Sequence, residues 1–195
     1  MSDRLTLSCW LRNFHPLTVL ANWEKLLLLF PYSKLAQGPA TLRIQAVAIT
    51  EPELLEQAFP APFDPEPAIA VSREFQYEDG AYQLDCSWDL LVWDEEWRMA
   101  PVKVSLWCFA PQFENETSDH VRIELGPEDT FLPRPGDDAS IRAAHANLRS
   151  LTRLIQDIAD KLPVERQHLS SESGVNFAEK LERAVAGGSG GLALQ

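Results

Sequence analysis

The residues able to do chemistry are scattered along this chain. Gly187-Gly188-Ser189-Gly190-Gly191 spells the nucleophile-elbow pattern of serine hydrolases, in which a strand feeds a tight turn that presents the serine and a helix follows. No strand pattern precedes it, and the four residues that remain cannot supply the acid and histidine the elbow requires downstream. His15, His120, His145 and His168 lie at no spacing that would converge two imidazoles on one metal. His145 falls at the margin of an apolar helical stripe, where an imidazole could face a pocket between helix and sheet. His120 and Glu124 share strand parity, which puts a base and a carboxylate on one surface but without a nucleophile. Carboxylates gather at Glu51/Glu53/Glu56, Asp94/Glu95/Glu96, Glu114/Glu116/Asp119 and Glu128/Asp129, none with calcium-loop spacing. Phosphate loops, paired-cysteine zinc patterns and His-Glu-x-x-His helices are missing, so no catalytic residue, metal or cofactor is assigned.

The tryptophans carry the clearest signal. Four of the six, Trp88, Trp93, Trp97 and Trp107, lie within twenty residues and flank the acidic turn Asp94-Glu95-Glu96. Cys86, Trp88, Leu90 and Val92 form the apolar set of one strand, and Val102, Val104, Leu106 and Cys108 that of the next. Both sets are even-numbered. Opposed residues must then sum to an even number, which a three-residue loop satisfies without a bulge, so Trp93 faces Trp97. That pair falls on the side opposite the apolar set, with Leu91 and Met99 near it. Either the long helix or the proline-rich segment covers this second side as another core layer, or the pair is an exposed anchor. In the second case Trp93 and Trp97 bind a partner and Glu95 and Glu96 form an acidic rim that steers in a basic one.

The chain has 195 residues, 45% hydrophobic and 24% charged, enough for one well-buried core. Its 17 basic and 29 acidic residues leave a net charge of −12, which opposes nucleic acid as a partner. The most apolar window, Leu17 to Phe30, is interrupted by Asn22, Glu24 and Lys25 and is shorter than the ~20 residues of a membrane span, so no membrane partner is expected. Cys9, Cys86 and Cys108 each sit in an alternating apolar stretch, as buried free thiols do. With an N-terminus lacking the pattern of a secretory signal, this points to the cytoplasm and makes the glycosylation match Asn115-Glu116-Thr117 a chance one.

These residues must be positioned by elements that the periodicity outlines. Leu5, Leu7, Cys9 and Leu11 alternate as a strand; Pro16 opens a helix through Leu28; Leu42 to Ala48 alternate again. This β-α-β start implies parallel strands with a crossover helix on one face. Thr50-Glu51-Pro52-Glu53 reads as a capping box for a short helix over Leu54 to Ala58, and Pro60, Pro62, Pro65 and Pro67 as an extended connector. Strands follow over Ile69–Tyr77, Cys86–Trp93, Trp97–Phe109 and His120–Leu125 as a meander, with a mobile acidic loop at Pro111–Asp119. Asp137-Asp138 caps a long helix ending at Pro163, whose stripe repeats at Ile141, Leu148 and Ile155 with Ala144, Leu151 and Ile158 between. Asn176 starts a last short helix that closes at Gly187.

The expected fold class is α+β: a mixed, mostly antiparallel sheet with a β-α-β start, a central β-meander and a long amphipathic C-terminal helix packed on one face. Residues 1–186 form a single domain and 187–195 a flexible Gly/Ser-rich tail. The leading functional expectation is a cytoplasmic, non-enzymatic module that binds a basic protein partner through the aromatic hairpin. The alternatives are a small-molecule or catalytic domain with a pocket between sheet and helices, and a structural subunit whose Trp face makes a homodimer.

Overall fold

The computed structural model describes residues 3–134, 137–173 and 176–188. The chain is α+β, and the described residues form seven strands in one sheet and four α-helices. The strands are β1 (Arg4–Leu11), β2 (Ala40–Ala46), β3 (Leu55–Phe59), β4 (Gly80–Asp94), β5 (Glu96–Phe109), β6 (Val121–Pro127) and β7 (Val164–Ser171). The helices are α1 (Pro16–Leu29), α2 (Pro65–Ser72), α3 (Asp138–Lys161) and α4 (Phe177–Gly188). Across the sheet the order is β3-β2-β4-β5-β6-β1-β7, and each neighbouring pair is antiparallel. The β1-α1-β2 start is present, and its two strands run the same way. They are not neighbours, however, because β4, β5 and β6 lie between them.

Strand parity places the core. Odd residues of β1 and β6 and even residues of β2, β4 and β5 join Trp23, Leu26 and Leu27 of α1 and Leu151, Leu154 and Ile158 of α3 in one buried cluster. Both helices therefore cover the same face. In α3, capped by the Asp137 side chain, the buried line runs Ala143, Asn147, Leu151, Leu154 and Ile158. Leu148 and Ile155 sit at its flank, half-buried. This long helix is followed by β7 and α4 and is not the terminal element.

Several local expectations are overturned. Leu55–Phe59 form edge strand β3, because β2 offers a free edge and Arg43 gains Glu56 directly opposite it with Glu53 alongside. The prolines begin α2: Asp64 accepts from the Glu66 N–H, and Pro65 and Pro67 occupy first-turn positions whose N–H groups have no intrahelical acceptor. Helix α2 thus occupies most of the first half of the strand expected at Ile69–Tyr77. The polar run Val164–Ser171, where no element was predicted, completes the sheet by pairing with β1. The acidic loop after β5 is packed, with Phe113 stacked on Phe109 and Asp119 buried. Gly187 and Gly188 close α4; the rest of the expected tail, 189–195, lies outside the described residues.

Candidate functional site

The β4–β5 hairpin has the register expected from parity, with Trp93 opposite Trp97 and Asp94 opposite Glu96. Glu95 forms the apex with φ +62. The ladder reaches β2 only as far as Asp85 and β6 only from Ser105 onward, so residues 86–104 form a two-stranded arm. An isolated ribbon of this kind is barely stable in water, and this one is held along its β4 edge. Tyr32 bridges to Trp88, the Ser33 N–H donates to the Ser87 carbonyl at 2.7 Å, and the Lys34 N–H donates to Asp89 Oδ2 at 2.8 Å. One turn of strand further on, Asn147 of α3 takes the place of a neighbouring strand. Its Oδ1 accepts from the Leu91 N–H at 2.9 Å, while its Nδ2 donates to the carbonyls of Leu91 at 2.8 Å and Thr130 at 2.7 Å.

At the tip the Trp93 and Trp97 rings meet edge to face, 5.7 Å apart at 63°. The Arg134 guanidinium stands 5.6 Å from one ring centroid and 5.7 Å from the other. Trp97 is half-buried, and among the described residues its indole N–H has no partner in hydrogen-bond geometry, although it lies close enough to Asp137 to help lower that carboxyl's pKa. The largest cause of the lowering at Asp137 is the Ser140 backbone N–H of the helix cap. Trp93 stays 46% exposed and Met99 51%. Asp94, Glu95, Glu96 and Arg98 are exposed around them, with Arg98 paired to Asp94. The segment entering α3 therefore covers Trp97 from one side, while the proline-rich segment, as α2, packs on α1 instead.

The other singled-out residues fall elsewhere. His145 faces solvent on α3, and Asn147 holds the inward position two residues on. His120 is half-buried: its Nδ1 accepts from the Leu11 N–H at 2.8 Å and its ring stacks on Phe14 at 4.2 Å. Cys9, Cys86 and Cys108 are buried and free, and burial pushes the Cys9 thiol up to about 12 and the other two upward as well. Beside Cys86, a cavity of about 20 Å³ lies among Tyr32, Pro39 and Phe63, while the large concavity opens on the helix-free side of the sheet. Among the described residues no group of three or more His, Cys, Asp or Glu could hold a metal, and no helix is long and apolar enough to cross a membrane.

Arg134 and Asn147 escaped the sequence reading because each acts across a long chain separation. Arg134 does sit between Pro133 and Pro135, a stiff context, but its target lies some forty residues earlier. Comparison with known protein families, with curated proteins and with solved structures finds no match to this chain.

Proposed function

We propose that the chain is a protein-interaction module with no catalysis of its own, which acts in the cytoplasm and engages a basic protein partner through the tip of the β4–β5 arm. Trp93 is the anchor, Trp97 and Arg134 hold it in place, and Glu95 and Glu96 form the acidic rim. The observation that carries this reading is an indole left 46% exposed while its ring contacts Trp97 and the Arg134 guanidinium. A side chain ordered before binding loses little entropy on binding, and a Trp at the centre of a charged rim has the composition of a binding hot spot. The rim and the net charge of −12 favour a basic surface and oppose a tip-to-tip homodimer. Three buried free thiols support a reducing compartment.

The test places a photoreactive residue at position 96 of the intact chain in its native cells and identifies the cross-linked species. A basic protein should be captured, and Trp93→Ala should abolish the adduct while leaving the melting temperature near that of the parent. For the purified pair, that change should weaken binding by at least about 2 kcal/mol, or roughly 30-fold. Capture of a second copy alone, or capture unaffected by Trp93→Ala, would overturn the reading.

A further inference from the structure

The face of the sheet turned away from α1 and α3 carries polar side chains in rows set by the strand register, beside a small apolar cluster of Ala81, Trp107, Phe109 and Phe113. One row runs Thr41, Asp85, Ser105, Glu124 and Thr6, each directly opposite the next on the adjacent strand. Beside it run Arg43, Gln83, Trp107 and Arg122. Apart from Thr6 and Arg122 at their β6–β1 end, these rows floor a cleft of about 1060 Å³, whose walls include Pro39, Ser87, Lys103 and Pro127. Rows this regular offer donors and acceptors at the strand spacing of about 4.8 Å.

Asp85 is held as an acceptor by Arg43, by Gln83 Nε2 at 2.9 Å and by Ser105 Oγ at 2.5 Å. Glu124 has a longer ionic contact, to Arg4 at 3.5 Å, and burial raises its pKa against the pull of Arg4 and Arg122. Among the described residues it is a partly buried carboxyl short of hydrogen bonds. Trp107, 7% exposed, lines the same cleft, and its indole N–H is buried without a partner among the described residues. In a chain of net charge −12, the charged walls of this cleft are nearly balanced: Arg4, Arg43 and Lys103 against Asp85 and Glu124.

That balance selects the ligand. A strongly charged molecule of either sign meets like charges in the walls, and an apolar one would strip water from carboxylates and guanidinium groups at a cost it could not recover. A sugar hydroxyl both donates and accepts, so it matches a surface where the two kinds of group alternate. The volume slightly exceeds the upper end of ordinary ligand sites, about 300–1,000 Å³, and suits several sugar units rather than one. We propose that the helix-free face of the sheet binds a neutral oligosaccharide, with Glu124 accepting from its hydroxyls and the Asp85, Gln83 and Lys103 groups ordering it along the cleft.

The experiment applies the labelled intact chain to an array of neutral, sulfated and sialylated oligosaccharides, then titrates a neutral oligosaccharide that is bound while following backbone amide resonances. Neutral members should bind, and the shifts should concentrate in residues 83–87, 103–107 and 122–126. Glu124→Gln should weaken binding about tenfold, as for loss of a charged hydrogen bond, and Ser87→Phe should abolish it by filling the cleft. Trp93→Ala should change nothing, which separates this site from the arm. The proposal is overturned if no neutral oligosaccharide binds, if only charged ones do, or if the perturbed amides lie outside the cleft. It is equally overturned if both cleft variants keep their fold and full affinity.

Discussion

Asp119 shows how much one side chain can hold. Its side chain is fully buried and accepts hydrogen bonds from Ser8, Asn115, Thr117 and Arg122, the last also an ion pair at 2.8 Å. Burial works to raise its pKa and these partners outweigh it, so the carboxyl titrates below its usual range. Asp119→Ala leaves Arg122 without its counter-charge and should cost about 3–5 kcal/mol, measured by denaturant unfolding. His120, a single residue away, is lowered by burial, and its Nδ1 accepts from Leu11. A histidine with a depressed folded pKa stabilises above its unfolded value near 6.5, and that stability is lost as pH falls through the lower folded pKa. His120→Asn, which keeps an acceptor, should therefore flatten the loss of melting temperature below about pH 6.5; an unchanged slope would show that the ring is not the titrating group. The thiols should react slowly with a disulfide reagent, since burial raises all three. Parity alone made the thiols and the Trp93 to Trp97 pairing readable, because each depends on neighbours two residues apart. Partners of Asp119 such as Ser8, 111 residues away, have no local signature.

Among the elements, the arm depends most on contacts from distant parts of the chain. Asn147→Ala would strip partners from the Leu91 N–H and C=O and the Thr130 carbonyl, all in partly buried hydrogen bonds. The expected loss is about 1–3 kcal/mol in all, since groups this close to solvent recover part of their hydrogen bonding from water. Amide exchange over residues 89–99 should accelerate more than elsewhere, and uniform acceleration across the sheet would argue against a local brace. Helix α3 itself was legible because an apolar stripe repeated over 24 residues has one reading. Strand β3 and helix α2 were misread from good local cues. A capping box and a proline cluster are each compatible with two conformations, and the free edge of β2 and the Asp64 cap chose between them.

For the whole molecule, one core joins the sheet to α1 and α3, so Leu151→Asp should unfold it. An unpaired buried carboxylate costs several kcal/mol against a total of about 5–15. Loss of the cooperative thermal transition is the expected readout, and an unaltered one would mean that the α3 stripe is not buried. The excess of 12 negative charges should make association with a basic partner fall steeply in rate with added salt, and Glu95→Gln with Glu96→Gln should flatten that dependence while changing dissociation little. By itself the sequence determined the α+β class, the buried thiols, the face that β1, β2, β4, β5 and β6 turn to the core, and the hairpin register, since all of these follow from periods of two or 3.6 residues and from loop length. Tertiary structure alone decided that β4, β5 and β6 separate β1 from β2, that Val164–Ser171 is a strand, and that Arg134 and Asn147 serve the arm. The polar cleft on the helix-free face was likewise invisible in one dimension: its rows are assembled from residues on five strands, and only the pairing register brings them side by side.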